Sequence, residues 1–312
     1  MKYLGCAYYP EYWGSDRFEQ DALLMKEAKM NVVRVGEFAW SRMEPEENRF
    51  TLEWLHMLIR VMAKHDISVI MCTPSAAPPA WLTSSYKDTL LVKADGVRYE
   101  HGIRRNYCYT SETFRKFVYR IVDKLSKEFS VYTNIIGWQI DNEPDFLETG
   151  ICFCETCQRK FQDWLKRKYF TVKKLNSSWA TGFWSMDYND WNQVRLAPCD
   201  RNLYSSSKLD TMRFASCMLT EFILSQAEII RRNDPGATIT TNLNGEVFTG
   251  LDYSKIYSEL DVASKDLYFD ICSMDVNALI MNQFRSFKPD KKFWITETGA
   301  GAIDLGRPSF PK

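Results

Sequence analysis

Two glutamates stand where a pair of carboxyl groups could break a glycosidic bond. Glu143 follows the run IIGWQIDN and precedes Pro144, and Glu297 follows FWIT and precedes Thr298 and Gly299. Glycoside hydrolysis needs two such groups, one to protonate the leaving oxygen and one to attack the sugar or activate water. A strand-end acid can also simply cap the next helix. Two of them, each just past a short apolar run, favour catalysis. Proton donation near neutral pH needs an acid pushed up by burial or by nearby negative charge. Asp141 and Asp145 surround Glu143, which suits it to the acid role, and its neighbour Asn142 is placed to hold a sugar hydroxyl. Glu297 leads into a Gly-rich tail with no neighbouring acid, which suits an ionised nucleophile.

A second constellation is made of thiols. ICFCETC supplies Cys152, Cys154 and Cys157, and a tetrahedral zinc site needs a fourth ligand. Cys108, in RRNYCYTS, is the candidate, because its loop follows the third strand and belongs beside the loop of the fourth. Four thiolates leave no open position for water, so such a metal is structural. Unligated thiols and a labile disulfide are the other readings. Cys6, Cys72, Cys199, Cys217 and Cys272 form no group and read as core or surface.

The elements that must position these groups alternate. Apolar runs at 4–9, 31–35, 67–72, 135–140, 238–242, 261–264 and 293–296 predict seven strands. Helical patterns lie between them, among others at about 17–30, 52–64 and 112–129. Strands alternating with helices imply parallel βα units, and seven in order point to an α/β (β/α)8 TIM barrel. Its active site lies at the C-terminal strand ends, where strands 4 and 7 face each other across the mouth. Residues 144–204 exceed what one crossover needs and read as a Cys- and Trp-rich insertion after strand 4. Only 15 residues follow Glu297, among them two prolines and three glycines. The expectation is one barrel domain over 1–312, cut after strand 7, with exposed sheet edges.

Other side chains carry weaker signals. Arg34 and Glu37 in VVRVGEFAW suggest a buried ion pair that supports the pocket. Trp184 and Trp191 suit sugar stacking, though filling the insertion's own core is the plainer role. His56, His65 and His101 are scattered, and no Ser-His-Asp order or Gly-rich phosphate loop is present. Forty basic residues balance forty acidic ones, which argues against nucleic-acid or anionic-membrane partners. No apolar run approaches the roughly 20 residues that span a bilayer. The N-terminus lacks a signal core, so reduced thiols and a cytoplasmic location are expected.

These segments together resemble glycoside hydrolase clan A, and within it the family 42 β-galactosidases. IIGWQIDNEP and FWITETG look like that clan's acid/base and nucleophile motifs. GCAYYPEYW (5–13), VVRVGEFAWSRMEPEENRF (32–50), PSAAPPAWL (74–82) and RRNYCYTS (104–111) are similar to the family, over residues 3 to about 299. The resemblance implies retaining hydrolysis of terminal β-D-galactosides or galacto-oligosaccharides, with Glu143 as acid/base and Glu297 as nucleophile. It implies that Arg104 and Asn142 bind the sugar and that Tyr268 matches a strand-6 tyrosine beside the nucleophile. Several family members carry a four-cysteine zinc site, and all four positions match at Cys108, Cys152, Cys154 and Cys157. The family's chain is about twice as long and forms trimers through a further domain absent here. Part of its sugar pocket comes from strand 8 and from a tryptophan after the nucleophile, neither present in this chain. Two alternatives therefore stand beside the galactosidase: a non-catalytic, zinc-stapled fragment, and a retaining enzyme for another sugar, such as a β-glucosidase or α-L-arabinopyranosidase.

Overall fold

The computed structural model describes residues 2–102, 104–144, 151–198, 205–244, 251–268, 274–291 and 293–299. Cys199, Cys272, Asp145 and the tail after Gly299 lie outside them. The eighth-strand expectation falls in that tail.

Every paired strand runs parallel to its neighbour. β1 (Gly5–Ala7), β2 (Val32–Val35), β3 (Ser68–Cys72), β4 (Ile135–Gln139) and β5 (Ile239–Thr240) pair in chain order. β6 (Asn242–Leu243), β7 (Ser264–Asp266) and β8 (Trp294–Glu297) continue the series as a second sheet. β5 and β6 share one strand position, interrupted at Thr241. At the break, Thr241 Oγ1 donates to the Ile140 carbonyl at 2.7 Å, and its own carbonyl accepts from Ser264 Oγ at 2.7 Å and Tyr257 Oη at 3.0 Å. Seven strand positions in sequential order, with helices between them, make a partial (β/α)8 barrel. Among the described residues no strand pairs with the outer edge of β1 or β8.

The sixth strand corrects its sequence prediction, which placed it at 261–264. It runs Ser264–Asp266, three buried polar residues. Apolar periodicity misses such a strand because its side chains are satisfied by hydrogen bonds across the barrel rather than by hydrophobic burial. The other six strands fall within two residues of their runs, the usual fraying of element ends.

The helices supply the outer layer. Glu112–Phe129 begins where Ser111 Oγ accepts the Phe114 amide at 3.1 Å, an N-cap worth about 1 kcal/mol. Phe114, Phe117, Val118, Ile121, Val122, Leu125 and Phe129 form its buried stripe, at helical spacing. That stripe packs with Val33, Trp40, Ile59, Trp138, Phe222 and Ile230 into the main core. A smaller core forms where helices Glu155–Tyr169 and Val172–Trp179 of the insertion meet the long helix Ser205–Asn233. Phe161, Leu165, Trp179 and Phe214 fill it together with Leu91 and Val92 from the loop after β3. Trp191 packs at its edge, but Trp184 does not: it is 77% exposed and stacks on Phe183.

Two glycines serve the strand ends. Gly36 takes φ +99° to turn the chain out of β2 toward Glu37, a conformation L-residues rarely adopt. At Gly137 of β4, a Cβ would stand 3.0 Å from the Thr238 carbonyl and 3.3 Å from the Trp294 ring, so the absence of a side chain leaves room for both. No helix among the described residues is long and apolar enough to cross a membrane.

Candidate active site

The C-terminal ends of β2, β4, β6, β7 and β8 converge on one group of polar side chains. After β4 the chain turns sharply, with Asp141 at φ +58° and Glu143 at φ +46°. Left-handed backbone at non-glycine residues costs of order 1–3 kcal/mol and must be held by its surroundings. Asp141 is the clamp. Its amide donates to Thr73 Oγ1 at 2.8 Å, and its carboxylate accepts from Ser75 Oγ at 2.6 Å, Tyr107 Oη at 3.0 Å and the Asn142 amide at 2.7 Å. The Glu143 amide donates to Asn242 Oδ1 at 2.9 Å, tying the turn to β6.

Glu143 is buried between two guanidinium groups. Nη1 of Arg104 and Nη1 of Arg105 each lie 3.1 Å from its Oε2, and Arg105 also donates to its carbonyl at 3.2 Å. The sequence names Asp141 and Asp145 as the acidic neighbours of Glu143, and the structure corrects the first. Asp141 is two residues away in the chain but is turned into its own hydrogen bonds; two guanidinium groups and the carboxyls of Asp266 and Glu297 surround Glu143 instead. Asp145 lies outside the described residues.

Glu297, at the end of β8, faces Glu143. Its Oε1 accepts from Arg34 Nη2 at 2.6 Å, and its Oε2 accepts from Tyr268 Oη at 2.5 Å. Arg34 is itself buried and bonded to Glu37 Oε1 at 2.7 Å, as expected, and to Gln139 Oε1 at 3.3 Å. Burial works against its charge, but Glu37 first, with Glu297 and Asp266 also contributing, outweighs that and holds it firmly protonated. Arg34 is thus in direct contact with Glu297, beyond the supporting ion pair that the sequence suggested. Burial, and then the hydrogen bond to Glu297, push the Tyr268 hydroxyl up, so it stays a donor. One end of the Asn142 amide lies 2.8 Å from Asn242 Nδ2 and 3.3 Å from Glu297 Oε1. The other end lies 3.1 Å from Arg104 Nη1. The five residues singled out from the sequence for this site, Glu143, Glu297, Arg104, Asn142 and Tyr268, therefore come together.

A third carboxyl, Asp266 of β7, shares the site and was not singled out from the sequence. One oxygen from each of Glu143, Asp266 and Glu297 lies within 4.8 Å of the others. Burial, followed by the charge of Glu297, pushes Asp266 well above the usual carboxylate range. Asn242 and Arg105 were also missed. An Arg next to a singled-out Arg, and an Asp two residues before a singled-out Tyr, carry no periodic signal that marks their side chains as inward. An oxygen of Glu143 within 4.8 Å of one of Glu297 is in keeping with the close carboxyl pair, about 5–5.5 Å apart, that double displacement uses.

The three histidines sit elsewhere with partners of their own. His56 meets Tyr132 and Glu128 at 2.8 Å each, His65 meets Glu19 at 2.8 Å, and His101 meets Thr83 at 3.0 Å.

The four singled-out cysteines form a separate cluster. Cys108 Sγ lies 3.5 Å from Cys157 Sγ and 3.9 Å from Cys154 Sγ, and all four sulfurs fall within 4.8 Å of one another. Metal–sulfur bonds of about 2.3 Å in a tetrahedron place sulfurs about 3.8 Å apart. Two backbone amides point at the cluster, Val92 to Cys152 and Cys157 to Cys154, each at 3.4 Å. The neighbouring thiols, Cys108 foremost, draw Cys154 well below an ordinary thiol. The donor set is compatible with a four-coordinate metal site, and none of the four is in a disulfide.

A family model described as β-galactosidase, that of glycoside hydrolase family 42, matches residues 7–309. The chain is 38% identical over 315 residues to β-galactosidase BgaA of Clostridium cellulovorans, covering 98% of this chain and 47% of that protein. It is 40% identical over 268 residues to β-galactosidase BgaA of a Thermus species, covering 85% and 41%. Among solved structures, the β-galactosidase of Rahnella sp. R3 superposes with a TM-score of 0.88 at 35% identity, over 94% of this chain and 44% of that one. This chain thus spans less than half the length of these relatives.

Proposed function

The chain belongs to glycoside hydrolase family 42, the β-galactosidase family, and from that premise we propose that it carries the catalytic centre of a retaining β-galactosidase. The observation that carries this reading is the 4.8 Å limit on the separation of Glu143 and Glu297 oxygens at the ends of β4 and β8. Glu297 attacks the anomeric carbon while Glu143 gives its proton to the departing oxygen. Glu143, now a base, then takes a proton from water, which displaces Glu297 and releases the sugar with its configuration retained. Arg34 and Tyr268 hold one oxygen of Glu297 each, so attack needs no reorientation. Arg104 and Asn142 offer donors to sugar hydroxyls beside both carboxylates. That the sugar is galactose, rather than glucose or arabinose, rests on family membership.

In the same reading Cys108, Cys152, Cys154 and Cys157 hold a structural zinc. When bound, it cross-links the loop after β3 to the insertion after β4 and has no position open for substrate.

The test is hydrolysis of p-nitrophenyl β-D-galactoside by this chain, with the matching β-glucoside and α-L-arabinopyranoside alongside. Turnover of the galactoside should vanish in Glu297→Ala and return with azide as a glycosyl azide of inverted configuration. Folded protein that hydrolyses none of the three sinks the proposal, and preferred turnover of another sugar reassigns the substrate.

A further inference from the structure

Both carboxylates of the proposed mechanism are referred to one amide. Asn242 accepts the Glu143 N–H on its Oδ1 at 2.9 Å, while its Nδ2 faces Glu297 Oε1 at 3.5 Å. An amide can turn over, exchanging its oxygen and nitrogen ends, unless its partners forbid it. Here the deciding partner is the Glu143 N–H, which can only donate and so keeps Oδ1 facing it; Nδ2 is then held by Asp266 Oδ2 at 2.6 Å and lies 2.8 Å from the Asn142 amide. Turning Asn242 over would set two donors, Nδ2–H and the Glu143 N–H, against each other. Asp266 is fixed in turn, because its Oδ1 accepts from Thr296 Oγ1 at 2.8 Å, one residue before Glu297. The chain Thr296–Asp266–Asn242–Glu143 thus runs from β8 through β7 and β6 to the turn after β4. All its members except Thr296 are buried.

We propose that Asp266 is a positioning residue: by accepting Asn242 Nδ2 it anchors that amide against the Glu143 N–H and so fixes the strained turn that presents Glu143 to Glu297. Asp266 needs only to accept a hydrogen bond from Asn242 for this. An asparagine at 266 can do so through its carbonyl oxygen while offering its NH2 to Thr296 Oγ1, and an alanine cannot. The reading extends the proposed mechanism and rests on it for the catalytic consequence, but the structural link is measurable without substrate.

Amide hydrogen exchange by NMR on the full chain reads that link at the Glu143 N–H. Removing one hydrogen-bond partner is worth about 1.4 kcal/mol, or tenfold in exchange. Asp266→Ala and Asn242→Ala should each speed Glu143 exchange about tenfold or more, with Asp266→Asn close to wild type. The Val69 N–H, bonded to the Asn134 carbonyl at 2.8 Å in β3, should not change in any of them. Unchanged Glu143 exchange in Asp266→Ala overturns the proposal. So does Asp266→Asn exchanging as fast as the alanine variant, or Val69 accelerating in parallel, which would mean general loosening. In turnover, Asp266→Ala should lose kcat with little change in KM, and Asp266→Asn should recover part of it. A wild-type chain that hydrolyses nothing counts against the galactosidase reading and leaves the exchange result to stand or fall alone.

Discussion

Glu11 carries its carboxyl into a largely buried position beside Glu37, and its Oε2 has no hydrogen-bond partner. Burial foremost, then Glu37, pushes it up to about 7 against the partial opposition of its own backbone hydrogen bond and Arg42. An acid raised in the folded state favours folding while protonated. Its contribution is complete below about pH 4, where the unfolded chain is protonated too, and is lost as pH rises through about 7. Glu11→Gln should therefore flatten the fall in unfolding midpoint between pH 4 and 7, measured by thermal melts across that range. An unaltered slope would show that another group sets it. Tyr268 gives a second test at this scale. Tyr268→Phe removes one of the donors that hold Glu297 and should lower kcat about 10- to 100-fold with little effect on KM, in line with loss of an interaction used in the transition state. A raised KM with kcat intact would assign the hydroxyl to substrate binding instead.

Helix Glu112–Phe129 and helix Ser205–Asn233 are joined by more than apolar contact. Asp123 accepts from Asn233 Nδ2 at 3.0 Å and Arg232 Nη2 at 3.0 Å on the other helix, and from Lys127 Nζ at 2.7 Å on its own. Burial opposes ionisation there, but those donors outweigh it and hold Asp123 down at about 2. A lowered carboxyl stabilises the fold above about pH 4, and that contribution is lost as pH falls toward 2. Asp123→Asn should cost about 1–2 kcal/mol at neutral pH and nothing near pH 2, by denaturant melts at both. The deep apolar contacts of the same helix pair have no such dependence: Phe222→Ala, at a fully buried ring, should cost about 3–5 kcal/mol at either pH. Strands whose residues are apolar were legible in the sequence, as at Val32–Val35 and Ser68–Cys72. The strand at Ser264–Asp266 was misplaced because Ser264, Lys265 and Asp266 are buried by polar contacts, and periodicity records only apolar ones.

At the scale of the whole molecule, the cysteine cluster joins regions about 45 residues apart in sequence and forms a wall of the second core. Cys154→Ser, or treatment with a strong chelator, should lower the melting temperature and open 151–198 to proteolysis. Metal analysis should give about one zinc per chain in the untreated protein. A metal-free chain with the same melting temperature would leave the four thiols as a buried cluster and nothing more.

What the sequence determined by itself was local and compositional. Glu143 and Glu297 follow apolar runs, three cysteines stand within six residues, and alternating periods name an α/β barrel of parallel strands. Those features persist whatever the rest of the chain does, because they depend on neighbours a few residues away. Only the tertiary structure decided which way the polar side chains face. Asp141 turns from Glu143 to Ser75 and Tyr107, Arg105 turns in beside Arg104, and Asn242 and Asp266 meet across β6 and β7. The physical reason is that a buried polar group is placed by the partner that satisfies it, and in this barrel the partner lies on another strand or on the loop that follows one.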